Sequence, residues 1–163
     1  GYITSNKPRL IVLNGHGSPN CVCGHNNEVI VDINNSHVLK DTVTYSFSCS
    51  SAANLGKTSV KNGTVCFIGY AEDFALGKDP DKEATPSKDR IAKLFLEPSN
   101  LLVQSILKGA TVKEAIDRAK KKMFKNIQYL NHTDEFLNAS DYAPYLFSNY
   151  LSLVAIGDDQ ASV

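Results

Sequence analysis

Tryptophan is absent from this chain of 163 residues, methionine occurs once and cysteine four times. The missing tryptophan excludes nothing. The cysteines (Cys21, Cys23, Cys49 and Cys66) are too sparse to staple a miniprotein, so reduced thiols or at most one bridge are expected. Neither charge sign is in excess. Lys and Arg total 17, as do Asp and Glu. This balance argues against a protein held on nucleic acid by its overall charge, leaving only a local basic patch. No apolar run approaches the roughly 18 residues of a membrane span. No basic leader with a continuous apolar stretch opens the chain at Gly1-Tyr2-Ile3, so nothing there reads as a signal peptide. The first residue is expected to follow a processing site or a cloning boundary, and the compartment is not read from it. Repeats, low-complexity tracts and a second domain are also missing. What is present is globular: 42% apolar and 21% charged residues, in a length that suits one domain with a sizeable core.

Arg9-Leu10-Ile11-Val12-Leu13-Asn14 predicts a strand buried on both faces, closed by the loop Gly15-His16-Gly17-Ser18-Pro19. Residues 20–31 carry a hairpin signal, with Cys21-Val22-Cys23 and Glu28-Val29-Ile30-Val31 around Gly24-His25-Asn26-Asn27. Thr42 to Ser48 alternates β-branched or aromatic residues with small ones and predicts a strand, ending in Cys49-Ser50-Ser51-Ala52-Ala53. Asn62-Gly63 turns the chain into a further buried strand, Thr64 to Tyr70. Residues 77–88 read as a loop. A helix is expected within 87–108, kinked or split at Pro98 and stopped at Gly109. Thr111-Val112-Lys113-Glu114 is a capping box, and Val112, Ala115, Ile116, Ala119, Met123 and Ile127 keep helical spacing behind it. Residues 131–145 read as a loop, and Tyr150 to Ile156 as a last strand closed by Gly157-Asp158-Asp159. Strands alternating with long connections imply a mainly parallel sheet flanked by helices, with chemistry at the C-terminal strand edge.

Two of those strands end in a reactive residue. One presents His16 between two glycines, and the other presents Cys49 before a run of small residues. If the strands are parallel neighbours, both emerge at one edge. A cysteine nucleophile needs a base nearby to supply thiolate near neutral pH. It also needs N–H groups aimed at the developing oxyanion. Gly17 has no side chain to block that approach, and Cys49 brings its own N–H.

The order of apolar strand, His16-Gly17, hairpin, second apolar strand and small-residue–Cys49 resembles the caspase-fold cysteine peptidases, and within them the gingipain and CHAT types. Gly63 to Tyr70 looks like the strand after the nucleophile. Leu107-Lys108-Gly109-Ala110-Thr111-Val112-Lys113-Glu114-Ala115 is similar to a helix start of that family. Leu153 to Asp158 is similar to its terminal strand. The resemblance covers about residues 9–160. It implies a single domain over 1–163 with a three-layer α/β/α, caspase-like fold and a mainly parallel sheet. This chain would hold the C-terminal, dyad-bearing part, since the family has further strand–helix units before its histidine strand. An N-terminal subunit or upstream domain would complete it. By resemblance His16 is the general base, Cys49 the nucleophile, and Gly17 and Cys49 the oxyanion donors. The substrate is a peptide or protein, and no cofactor is implied. The segment from Gly69 to Phe74 would border the S1 pocket, with Tyr70, Glu72 and Asp73 touching substrate. Two adjacent carboxylates at a cleft edge favour a basic P1 residue, whereas Tyr70 and Phe74 favour an apolar one.

Two other readings stand beside it. One is a catalytically silent caspase-like module that binds a partner protein. The other is a small metal-binding domain on Cys21, Cys23 and His25, whose alternation on a hairpin would turn all three to one side. Gly56-Lys57-Thr58 is rejected as a phosphate loop, because Ser51 stands where its first glycine belongs. Asp79, Asp81 and Glu83 read as solvated loop charges, and the basic run from Arg118 to Lys125 as the wet face of a helix. Asn34, Asn62, Asn131 and Asn138 open glycosylation sequons, which matter only in a secretory pathway.

Overall fold

The computed structural model describes residues 5–135 and 138–163. Its centre is a four-stranded sheet of β1 (Leu10–Asn14), β5 (Val43–Phe47), β6 (Cys66–Tyr70) and β7 (Leu153–Gly157), in that spatial order. The first three run parallel and β7 is antiparallel to β6. The strands between β1 and β5 form a separate antiparallel sheet: β2 (His16–Gly17), β3 (Cys21–Cys23) and β4 (Val29–Asp32). Among the described residues, the helices α1 (Leu55–Lys61), α2 (Arg90–Leu107), α3 (Val112–His132) and α4 (Ala143–Ser152) complete a mixed α/β architecture.

The pleat of each central strand sends alternate residues to two cores. On one face Val43, Tyr45, Cys66, Ile68 and Tyr70 are buried against α2, α3 and α4. On the other, Ile11, Leu13 and Phe67 are buried against Val22 and Val31 of the small sheet and Ala52 and Leu55 around α1. The chain is thus layered on both sides of the sheet, which is why β6 reads as a near-continuous apolar run and every residue of β5 but Phe47 is buried.

Four local expectations change. β1 is not buried on both faces, because it is the outermost strand; Val12, beside Tyr45 on the face that α2, α3 and α4 cover over the inner strands, is 46% exposed. The connection from β5 to β6 contains a helix, α1, as a parallel crossover requires. Its seven residues include Gly56 and Ser59 and are too few for a period to show. The region expected as a loop up to residue 145 and as a strand from Tyr150 instead holds α4, which runs to Ser152 before β7 begins. Finally, α2 runs unbroken through Pro98.

The last difference has a local cause. Proline lacks the N–H that would bond the carbonyl of Leu94, four residues back. The side chain of Asn126, on α3 and only 4% exposed, donates to that carbonyl at 2.7 Å instead. Neighbouring helices thereby repair the gap. Replacing Asn126 with leucine should destabilise the fold by about 1–3 kcal/mol, because the carbonyl is left unsatisfied. In a Pro98→Ala background, where the backbone N–H returns, the loss should be smaller. Urea unfolding of the four proteins of this cycle checks it, and equal losses in both backgrounds would refute the repair.

The capping box forms as expected: Thr111 Oγ1 accepts from the Glu114 N–H, and the Glu114 carboxylate accepts from the Thr111 N–H. Gly109, with φ +85°, ends α2 in the left-handed conformation.

Candidate active site

Parallel pairing of β1 with β5 sets Asn14 beside Phe47. The chains leaving the two strands therefore emerge side by side at their C-terminal edge. From β1 the chain turns at Gly15 into β2, which pairs with β3 so that His16 lies across from Cys23 and Gly17 across from Val22. Val22 is buried, so Gly17 faces inward. What it faces is the backbone of Cys49. A Cβ on Gly17 would stand 2.2 Å from the Cys49 carbonyl oxygen, 2.7 Å from its nitrogen and 2.8 Å from the Ser48 Cβ. Only glycine permits that approach.

The loop is anchored beyond this contact. The Pro19 carbonyl accepts from the N–H groups of Asn54 and Leu55 at the start of α1, at 3.2 and 2.8 Å. The Asn20 and Asn54 side chains bond at 3.0 Å. The histidine loop and the cysteine loop are thus tied together in front of and behind Cys49.

Cys49 sits in the turn after β5 and is half-buried. Ser50 follows it in a left-handed conformation, φ 52°. That conformation is costly outside glycine and is held by several partners. The Ser50 N–H donates to the Glu72 carbonyl at 3.0 Å, its hydroxyl donates to the Asp73 carboxylate at 2.7 Å, and the Ala52 N–H donates to the Tyr70 carbonyl at 3.0 Å. The Cys49 thiol approaches the Phe74 carbonyl at 3.9 Å. Its N–H meets no hydrogen-bond acceptor among the described residues. Neither ring nitrogen of His16 is hydrogen-bonded to the thiol.

The segment after β6 therefore does border Cys49, through main chain as much as side chain. Glu72 and Asp73 are both exposed. Asp73 is committed to Ser50, and Glu72 has a free carboxylate among the described residues. Tyr70 differs from its expected place at the cleft wall. It is 0% exposed, packed edge-on against Phe47 and Phe74 beneath the turn. Its hydroxyl finds no hydrogen-bond partner of sound geometry, while the neighbouring Tyr45 hydroxyl bonds Ser99 at 2.7 Å. Burial first, then Tyr45, push the Tyr70 hydroxyl well above its ordinary range. It is floor, out of reach of a substrate.

One residue escaped the sequence reading. Asn149 of α4 is 0% exposed, and its side chain clamps both polar groups of Ala75, accepting from the N–H at 2.9 Å and donating to the carbonyl at 2.7 Å. It fixes the stretch that runs past Cys49. The signal was a polar residue at helical spacing between the apolar Leu146 and Leu153, which only a helical reading of this region brings out.

The four thiols are free, with Cys21, Cys23 and Cys49 half-buried and Cys66 buried. Burial, with Asp159 and Asp158 adding to it, pushes Cys66 up to about 12. Because the folded value is raised, the neutral thiol contributes fully below about pH 9 and loses that contribution as pH rises toward about 12. The metal-binding alternative is not supported. Among the described residues no three His, Cys, Asp or Glu side chains converge to hold an ion. His25 has left the ladder by then, entering a helical turn at His25–Asn27.

No family model, curated protein or solved structure matches the chain. Among the described residues, no helix is long and apolar enough to cross a membrane.

Proposed function

We propose that this chain is the dyad-bearing part of a caspase-fold cysteine endopeptidase of the gingipain and CHAT kind. His16 takes the proton of the Cys49 thiol, and the sulfur attacks a peptide carbonyl. The N–H groups of Gly17 and Cys49 receive the oxyanion. The amine leaves with the proton held by His16, and water then hydrolyses the acyl-enzyme. The observation that carries this reading is the seating of Gly17 on the Cys49 backbone, which brings the histidine loop and the cysteine turn together at one sheet edge. The unclaimed Cys49 N–H supports it. β1 is the edge strand of the sheet among the described residues, and its outer edge is where an upstream domain or N-terminal subunit would extend the sheet.

The second reading, a silent binding module of the same fold, is favoured by the missing His16–Cys49 hydrogen bond. A reactive-thiol probe separates the two. For the peptidase, iodoacetamide at neutral pH should label Cys49 first, with Cys66 inert at its raised value. Uniformly slow labelling of Cys49 would favour the silent module.

Specificity is tested apart from chemistry. The free carboxylate of Glu72, beside Asp73, favours a basic P1 residue. Cleavage of a peptide library by wild type and by a Glu72→Gln/Asp73→Asn double variant should show the basic preference falling several-fold in the variant. An unchanged P1 profile would remove these carboxylates from the specificity site.

A further inference from the structure

Cys21 and Cys23 have no part in the proposed peptidase step, yet they are arranged as a pair. Both lie on β3, on the face opposite the buried Val22, and both are half-buried. Their sulfurs are 3.6 Å apart. Residues two apart on a strand have Cα atoms about 6.6 Å apart by the strand rise. That lies within the roughly 4.4–6.8 Å a disulfide spans. The ladder between β3 and β4 is irregular between Val22 and Cys23, which gives the backbone room to draw the two together.

The surroundings also distinguish the two sulfurs. Ser18 Oγ accepts from the N–H groups of Asn20 and Cys21, each at 3.2 Å, which leaves its own hydrogen to point at the Cys21 sulfur 3.3 Å away. Cys21 can thus receive two donors, the Ser18 hydroxyl and the Cys23 thiol. The Cys23 thiol is raised, first by its hydrogen bond with Cys21, then by desolvation and by the Cys21 charge.

We propose that Cys21 and Cys23 form a redox-active dithiol, with Cys21 as the sulfur that attacks hydrogen peroxide and Cys23 as the resolving thiol. The Cys21 thiolate attacks one peroxide oxygen and the O–O bond breaks. The peroxide takes two electrons, one oxygen leaves as hydroxide and becomes water by protonation, and Cys21 becomes a sulfenic acid. The Cys23 sulfur then attacks the sulfenic sulfur. The S–S bond forms, the S–O bond breaks, and the departing hydroxide takes the Cys23 proton as a second water. A dithiol reductant returns both thiols by exchange.

The test needs no peptidase activity, so its outcome is independent of that reading. The reduced full chain is treated with hydrogen peroxide and weighed intact, then mapped by peptides. The expected result is a loss of about 2 Da, reversed by dithiothreitol, with one bridge between Cys21 and Cys23. Cys21→Ser should abolish it. Cys23→Ser should instead leave a sulfenic acid on Cys21 that dimedone captures. A bridge involving Cys49 or Cys66, a chain that keeps both thiols alkylatable after oxidation, or dimedone capture at Cys23 in place of Cys21 would each overturn the assignment.

Discussion

Replacing Cys49 with alanine should reduce peptide hydrolysis by a factor on the order of a thousand or more, whereas Cys66→Ala should retain it within about twofold. The contrast follows from where each sulfur lies. Cys49 stands half-buried in a turn at the sheet edge, one residue before a strained Ser50 that three hydrogen bonds in the turn help to hold against the segment after β6. No nucleophile remains there once the sulfur is gone, so residual turnover can come only from binding and the oxyanion donors. Cys66 opens β6, fully buried in the core and paired with Gly157 at the end of β7, with its thiol pushed up to about 12. It is a small core hydrophobe, and its truncation should cost about 1 kcal/mol of stability and nothing in the chemical step. Initial rates on one fluorogenic peptide, with urea midpoints for all three proteins, make the comparison. Equal turnover by wild type and Cys49→Ala would end the peptidase reading.

How much of this was legible in the residues depends on the range of the signal. β6 announces itself because a strand between two covered faces must be apolar, β1 by its apolar run, β5 by its β-branched and aromatic residues, and α3 because its capping box and helical stripe coincide. The meeting of the His16 and Cys49 loops at one edge was readable for the same reason, since parallel neighbours end together. The exposure of Val12 was not, because Val12 is as apolar as Leu13 and only the sheet order shows that β1 is the outermost strand. Nor was the path of α2 through Pro98, since its repair by Asn126 comes from 28 residues further along (126 − 98). α4 was missed because its buried polar Asn149 and helix-starting Pro144 broke the expected apolar run. Tyr70 was placed at the pocket by resemblance alone, and its burial against Phe47 and Phe74 depends on the path of the chain after β6, which no local pattern shows.

Gly17→Ala should lower kcat/KM by about a hundredfold to a thousandfold, mostly in kcat, while costing about 1–3 kcal/mol of stability. The new methyl would meet Cys49 oxygen at 2.2 Å and Cys49 nitrogen at 2.7 Å, and backbone cannot rotate aside as a side-chain tip can. β2 has little freedom to retreat. Its pairing with β3 holds it on one side, and the bonds from Asn54 and Leu55 to Pro19 hold the chain just beyond. The strain must therefore move the Cys49 peptide or the Gly17 peptide, the two groups proposed to receive the oxyanion. Substrate binding at a distance is untouched, so KM should change little. Gly109→Ala is the matching control. Its φ of +85° makes a side chain costly by about 1 kcal/mol, yet no atom lies within 4 Å of the added Cβ. It should lower the urea midpoint and leave kcat alone. Should Gly17→Ala prove too unstable to assay at 25 °C, iodoacetamide labelling of Cys49 at lower temperature reports the same displacement as an altered rate. A Gly17→Ala protein with wild-type kcat and wild-type labelling would show that the contact between the loops serves packing alone.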